Sequence, residues 1–457
     1  MFKISKYLQW FQSKILRKKE YNESRLAMTI RLGLLGVEDN LQLIESVAKE
    51  YSEFTTLPFL HSSREEIIDI LESHQYDVDM WLFSGYSPYS VAKKWGKVNQ
   101  PMFFIEYTGS CLYKTLYHAL YHHNVNINEL SFDGFTPSEL KQIFEGFGVS
   151  FIPDYLKTYE SLNDNIVEHH YKLWKKGKTK AAVTCIWDVF NKLKKIGVPV
   201  FRVNPTKSAI QSALNMALRT HEMLLFKDRQ IAVQMIEIDT MSGLSKNMYS
   251  SDEIYNKEIQ ITQKLLIYTK KVQGSLKAVG PGRYVIFSTR GSLSDITQNF
   301  TAVPDIEELH QLSQRAVTCG IGIGQSAYEA EIHAAKALFH AKEYENGAWM
   351  VFLDNKTING PLGKPENITY SYESKKFQTI SEQTSLSVAT ISKVDSILKK
   401  IGKTEITAHE LAQHLQIIPR SARRILDQLL KKGYAKEIAE EAPHPRGRPR
   451  KIYQVSL

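Results

Sequence analysis

The chain has little cysteine: Cys111, Cys185 and Cys319 are the only three in 457 residues. They are far apart and odd in number, which excludes a disulfide framework and a CxxC redox or zinc pair. A reducing compartment is expected. Long apolar runs are also missing. A helix that crosses a bilayer needs roughly 18 consecutive apolar residues, and stretches such as Pro101 to Ile105 are strand-sized. The 24 glycines and 15 prolines stay far below the share that marks low-complexity chains. With 43% hydrophobic and 23% charged residues, wholesale disorder is excluded as well. What the chain has in surplus is positive charge, 58 Lys and Arg against 49 Asp and Glu, a net of +9. That favours an anionic partner, nucleic acid first and a membrane surface second. A cytoplasmic, multidomain protein without a membrane span is expected.

Residues 1–27 carry Lys3, Lys6, Lys14, Arg17, Lys18 and Lys19 among apolar residues. They lack the uninterrupted apolar core and cleavage site of a signal peptide, and are read as a basic N-terminal extension. Met28 directly precedes the first strand. From 28 to 222, short apolar strands (Ile30–Leu35, Val78–Phe83, Met102–Tyr107, Ala182–Cys185, Val198–Val203) alternate with amphipathic helices. This pattern predicts a doubly wound α/β region of two lobes with a cleft between them. Residues 129–180 read as mostly helical. From 223 to 375 the order of strands and helices suits a ferredoxin-like α/β domain. Within it, 355–367 carries Asn359-Gly360-Pro361, Gly363 and Pro365 and reads as turns at a boundary. Residues 376–402 are a linker and helix, and 403–457 a C-terminal domain. The fold class expected is therefore multidomain α/β.

The C-terminal residues carry the most specific pattern. Thr407 and Glu410 make a capping box ahead of a short helix with Leu411, Ala412 and Leu415 on one face. After the turn 416–418, Pro419 suits the first position of a helix. That helix buries Ala422, Ile425, Leu426 and Leu429 and crowds Arg420, Ser421, Arg423 and Arg424 into its first turns. Two strands follow, joined by PHPRGRPRK with Arg446, Arg448, Arg450 and Lys451. The segment resembles the winged helix-turn-helix of transcription regulators, with Gln416 and Ile418 where the family's turn has glycine and a following serine. The resemblance implies that the second helix enters the major groove of double-stranded DNA, where arginine matches guanine. It also implies a basic wing along phosphates.

In the central region, Ala232–Asp239, VGPGRYVIFS (279–288), TCGIGIG (318–324) and EAEIHAAKALFHAK (329–342) fall in the order found in diguanylate cyclases of the GGDEF type. The resemblance implies a Mg²⁺-dependent nucleotide site. However, the signature hairpin reads Gly280-Pro281-Gly282-Arg283-Tyr284, with glycine and arginine where the family has acids. A triphosphate-bound metal needs those acids, so a domain without catalysis, cofactor or metal is expected. Glycines 320, 322 and 324 lack the GxGxxG spacing of a dinucleotide loop.

Ligands of doubly wound sheets bind beyond the carboxyl ends of the strands. The polar residues at those ends are Gly36, Glu38, Ser84, Gly85, Thr108, Gly109, Ser110, Thr184, Asp188 and Thr206, and together they form the expected effector site. The layout resembles two-lobed sensor domains of bacterial activators such as propionate-catabolism regulators. His118 and His122 have a zinc-compatible spacing, but no HExxH glutamate or further ligand accompanies them, so satisfied or exposed histidines are expected. The sequence thus predicts a homodimeric, DNA-binding regulator that answers to a small-molecule effector. The alternative is a nucleotide-metabolising enzyme with a DNA-binding head.

Overall fold

A computed structural model describes residues 29–107, 109–150, 153–158, 165–238, 251–304, 317–344, 347–441 and 449–457. The basic extension 1–27, Thr108, Asp239, Arg446 and Arg448 lie outside the described residues. The chain divides into two compact units between Glu222 and Met223. Among the described residues no helix is long and apolar enough to cross a membrane.

The first unit alternates strand and helix: β1 (Ile30–Gly36), α1 (Glu38–Ala48), β2 (Phe54–Leu60), α2 (Arg64–His74), β3 (Met80–Phe83), α3 (Tyr86–Trp95), β4 (Met102–Phe104), α4 (Gly109–His123), β5 (Leu130–Asp133), α5 (Pro137–Gly146), β6 (Leu156–Lys157), α6 (Ile166–Lys175), β7 (Ala181–Thr184), α7 (Trp187–Lys195), β8 (Val200–Arg202) and α8 (Lys207–Asp228). Two four-stranded parallel sheets result, ordered β2-β1-β3-β4 and β6-β5-β7-β8. Strands flanked by helices on both faces read as continuous apolar runs, and β3, β5 and β7 are buried throughout.

Two departures from the sequence reading have physical causes. The segment 129–180 is not mostly helical, since it supplies β5 at the heart of the second sheet and β6 beside it. Ser131 and Asp133 disguise β5 by their polarity. Both are fully buried and both are engaged by His170, whose Nδ1 lies 2.7 Å from Ser131 Oγ and whose Nε2 lies 2.9 Å from Asp133 Oδ2. Strand β2 is hidden by Pro58, which is tolerated because β2 is an edge strand.

The second unit holds β9 (Ile231–Glu237), α9 (Ser251–Lys271), β10 (Ser275–Gly280), β11 (Arg283–Thr289), α10 (Arg290–Ile296), β12 (Thr318–Gly324), α11 (Ala327–Ala341), β13 (Trp349–Phe352), β14 (Thr357–Gly360) and β15 (Ile368–Ser371). The strands form one seven-stranded sheet, β10-β11-β9-β12-β13-β14-β15. Here 355–367 is not simply a run of turns: β14 adds to β13 and pairs with β15. The glycines of β12 let α11 approach closely. A Cβ on Gly322 would sit 2.0 Å from the Ala330 carbonyl oxygen, and one on Gly320 would sit 2.2 Å from the Leu338 nitrogen. Ala330 and Ala334 face them, and these and Ala337 are fully buried.

The chain ends with α12 (Lys375–Thr384), α13 (Val388–Ile401), β16 (Glu405–Thr407), α14 (Ala408–Leu415), α15 (Pro419–Lys431), β17 (Ala435–Glu441) and β18 (Arg450–Val455). Residues 376–402 form two helices whose Phe377, Ile380, Ile391, Val394 and Ile397 share one core with Leu411, Ala422, Leu426 and Tyr453. The capping box at α14 forms, with Glu410 accepting from the Thr407 nitrogen at 2.8 Å and Thr407 Oγ1 accepting from the Glu410 nitrogen at 3.2 Å. Gln416 ends α14 in the left-handed region at φ 53°, a conformation that glycine adopts without steric cost. Gln416→Gly is therefore expected to stabilise the head by roughly 0.5–1 kcal/mol, read as a rise in the denaturant midpoint.

Candidate ligand cavity and nucleic-acid interface

The carboxyl ends of both sheets of the first unit open into one cavity of about 1030 Å³. His61 follows β2, Ser84 and Gly85 follow β3, Cys185 and Trp187 follow β7, and Arg202 ends β8. This is the location that the topology of doubly wound sheets dictates. Tyr107 braces the wall: its hydroxyl accepts from Asn40 Nδ2 at 3.1 Å and donates to the Ser84 carbonyl at 3.2 Å. Gly85 is small because the Tyr107 ring lies 2.8 Å from where its Cβ would be.

The buried groups of the wall are largely neutral. Burial pushes the Tyr107 phenol well up. Burial, and then the neighbouring Asp133, push the Cys185 thiol well up. Burial lowers the His61 imidazole, against smaller opposing pulls from the Ser63 backbone and Glu66, and neither of its ring nitrogens has a hydrogen-bond partner. Arg202 is the exception. Its side chain is only 6% exposed, it pairs through Nη1 with Asp39, and it lies 4.5 Å over the Trp187 ring.

His169 is also lowered, first by burial and then by His170. The unfolded imidazoles of His61 and His169 take up protons near 6.5, before the folded ones do. Stability is thus fully present above that pH and falls as pH drops below it. Melting curves between pH 7.5 and 5 should show this decline, and a His61→Gln, His169→Gln double variant should flatten it.

Of the residues expected to bind a ligand, Ser84, Gly85 and Asp188 line the cavity. Asp188 is exposed and pairs with Lys192 at 2.5 Å. Gly36 lies beneath Ser84, whose Cβ is 2.5 Å from the position of an added Cβ. Glu38 is exposed on α1. Thr184 is buried, and its Oγ1 accepts from the Ile186 nitrogen at 3.0 Å. Thr206 meets Ser110 at 3.3 Å and accepts from the Ala209 nitrogen at 3.3 Å, an N-terminal cap for α8. Gly109 begins α4. Sequence reasoning missed Arg202, Tyr107 and His61. The signal was present at Arg202, a cation closing the strand sequence Val-Phe-Arg.

In the second unit, Arg420, Arg423 and Arg424 are exposed on the first turns of α15, and Ser421 is half-buried. That first turn contains no acid. Asp427, the nearest acid along the helix, accepts from the Tyr453 hydroxyl at 3.3 Å. On the hairpin, the basic strand β18 faces acids of β17, with Arg450 opposite Glu441 and Lys451 opposite Glu440. Lys451 Nζ pairs with Glu437 at 2.8 Å, which raises its pKa.

At the β10–β11 turn, Gly282 takes φ 64°. Glu237 of β9 is held between Lys342, at 2.7 Å, and Arg283, at 3.6 Å. His118, His122 and His123 are exposed on α4 with ring centroids 4.9 and 5.2 Å apart. Among the described residues no group of three or more His, Cys, Asp or Glu could hold a metal ion.

No known family model and no curated protein matches the chain. Solved structures similar to it include an NtrC family transcriptional regulator from Clostridium acetobutylicum, 22% identical, covering 43% of this chain and 100% of that one at a TM-score of 0.35. The transcription regulator CcpA of Lactococcus lactis is 10% identical and covers 43% of this chain and 92% of its own, with a TM-score of 0.26. The adenylyl cyclase CyaB from P. aeruginosa is 13% identical and covers 50% and 94%, with a TM-score of 0.17. These scores are too low to carry function across.

Proposed function

We infer that the protein is a DNA-binding transcriptional regulator whose first unit takes a small-molecule effector. The observation that carries this reading is the acid-free first turn of α15, with three exposed arginines beside a two-stranded hairpin. In this reading α14 and α15 are a helix-turn-helix and β17–β18 its wing. Arginines on the first turns of a recognition helix reach base edges, and guanine O6 and N7 accept from one guanidinium together. Because Glu437 engages Lys451, the readout rests on α15 more than on the hairpin. The effector occupies the inter-lobe cavity and acts by binding one conformer better than another. Two copies on a two-fold operator raise affinity and specificity together.

The seven-stranded domain is read as a degenerate GGDEF domain that serves as scaffold and performs no catalysis. A carboxylate already held by two cations, as Glu237 is, makes a poor Mg²⁺ ligand. With GTP and Mg²⁺ the full-length protein is expected to form no cyclic product; turnover would revive the enzyme reading. The decisive experiment is selection of duplexes from a random pool by the full-length protein. An enriched, two-fold-related motif is expected. A pool retained without enrichment would reduce the interaction to charge alone and sink the regulator reading.

A further inference from the structure

The geometry assigns the inter-lobe cavity to a small organic anion, a carboxylate or phosphate ester, gripped by the free edge of Arg202 between the open N-termini of α3 and α7. This rests on the reading of the cavity as the effector site and names the chemistry of the effector.

Three observations converge. A guanidinium offers two planar two-donor edges, one of Nη1 with Nη2 and one of Nε with Nη2. In Arg202, Nη1 is taken by Asp39 from the other lobe, whereas Nε is buried and has no acceptor. Nε–H and one Nη2–H point along the same edge within the guanidinium plane, so the edge that holds the unpartnered Nε is the two-donor fork that matches a carboxylate or phosphate. Trp187 stacks on the guanidinium face, 4.5 Å from it, and so takes none of the in-plane donors.

The second observation concerns helix ends. Of the helices that begin at this cavity, three are closed by their own side chains, and α1, whose capping residue Val37 supplies none, has its Asn40 nitrogen taken by Asp39 Oδ1 at 2.8 Å. Ser63 accepts from the Glu66 nitrogen at the start of α2, Thr136 from the Glu139 nitrogen at α5, and Asn165 from the Glu168 nitrogen at α6. At α3 the capping position is Gly85, and at α7 it is Ile186, and neither supplies a side-chain cap. The first turns of both helices line the cavity, one from each lobe. Their backbone N–H groups and dipoles favour an anion.

The third observation is the state of the wall acids. Asp188 is committed to Lys192, and Glu139 closes the capping box at Thr136. Glu65 and Glu106 are exposed. His61, neutral and with both ring nitrogens unpartnered, provides one donor and one acceptor for the polar body of the same ligand.

The test uses the full-length protein with succinate, its neutral counterpart succinamide, glycerol 3-phosphate and glycerol. Binding is read from Trp187 fluorescence, with Trp187→Phe as the blank, and from thermal shift. At least one anion is expected to bind at roughly millimolar concentration or below, while its neutral counterpart does not. Succinate against glycerol 3-phosphate distinguishes carboxylate from phosphate. Arg202→Gln should weaken that binding about 10- to 100-fold. Should that variant fail to fold, Arg202→Lys gives the readout. It keeps the charge but not the fork, so a loss of roughly 5- to 10-fold is expected. The assignment is overturned if neutral and anionic probes bind alike, if no anion binds, or if either variant binds as wild type. DNA affinity measured with and without the bound anion separates the two readings. Binding that leaves DNA affinity unchanged keeps the anion site and removes the effector role. A neutral molecule that fills the cavity and changes DNA affinity does the reverse.

Discussion

Gly322→Ala should destabilise the second unit by about 3 kcal/mol or more, at the top of the range for overpacked cores. The added methyl would meet the Ala330 carbonyl oxygen at 2.0 Å and the Ala334 nitrogen at 2.2 Å. Both are backbone atoms of α11, so no side chain can swing away. Relief requires lifting the helix off β12, which would open the contacts of fully buried Ala330, Ala334 and Ala337. For a body of this size the melting temperature should drop by roughly 6–12 °C. Gly280→Ala is the control: it lies at the edge of the same sheet with nothing within 4 Å of the new Cβ. If the two variants melted together, close approach of α11 would not be the reason for the glycines of β12.

The second large effect concerns α15. Replacing Arg420, Arg423 and Arg424 together with alanine should weaken binding to the selected operator roughly 10³-fold. This corresponds to about 4 kcal/mol, or one to two base-reading contacts at about 1–3 kcal/mol each plus phosphate contacts. The three are exposed, so their loss leaves the core of Ala422, Ile425, Leu426 and Leu429 intact. A salt titration divides the roles. Each phosphate contact removed should reduce the slope of log K against log salt by about 0.9, on operator and random duplex alike. Base contacts should instead appear as a larger loss on the operator. Unchanged affinity on both duplexes would remove α15 from the interface.

How much of this was legible in the sequence depends on where polarity pointed. The helices of the C-terminal head were readable because capping, apolar spacing and Pro419 agree with one another, and the structure repeats each of them at Thr407, Leu411 and Leu426. The doubly wound alternation was readable for the same reason. Strand β5 was not, because two of its four residues are polar and their partner, His170, lies 37 residues from Asp133. Hydropathy has no access to a partner that distant. Strand β14 was hidden by Asn359 and Gly360, whose turn chemistry outweighed a short apolar signal. The cavity lies at the carboxyl ends of the strands, where the alternation of strand and helix alone points. Its polar loop residues, however, proved to be divided between the wall, where Ser84 and Gly85 stand, and local capping, where Thr184 and Thr206 are engaged. Local hydrogen bonding of that kind is what makes such residues common in loops at all.

Helix α13 is held from two sides. Ser392 accepts from the Ser371 nitrogen at 2.8 Å, Ser396 donates to the Thr369 carbonyl at 2.8 Å, and Lys393 reaches Glu343 at 3.1 Å. Its other face carries Ile391, Val394 and Ile397 into the core of the head. The natural seam for cutting or grafting this protein therefore does not lie at residue 403. A head excised there would present the bared undersides of α14 and α15 to water. A chimaera that exchanges the C-terminal head must transplant α12 and α13 with it, and with them the surface that answers to β15.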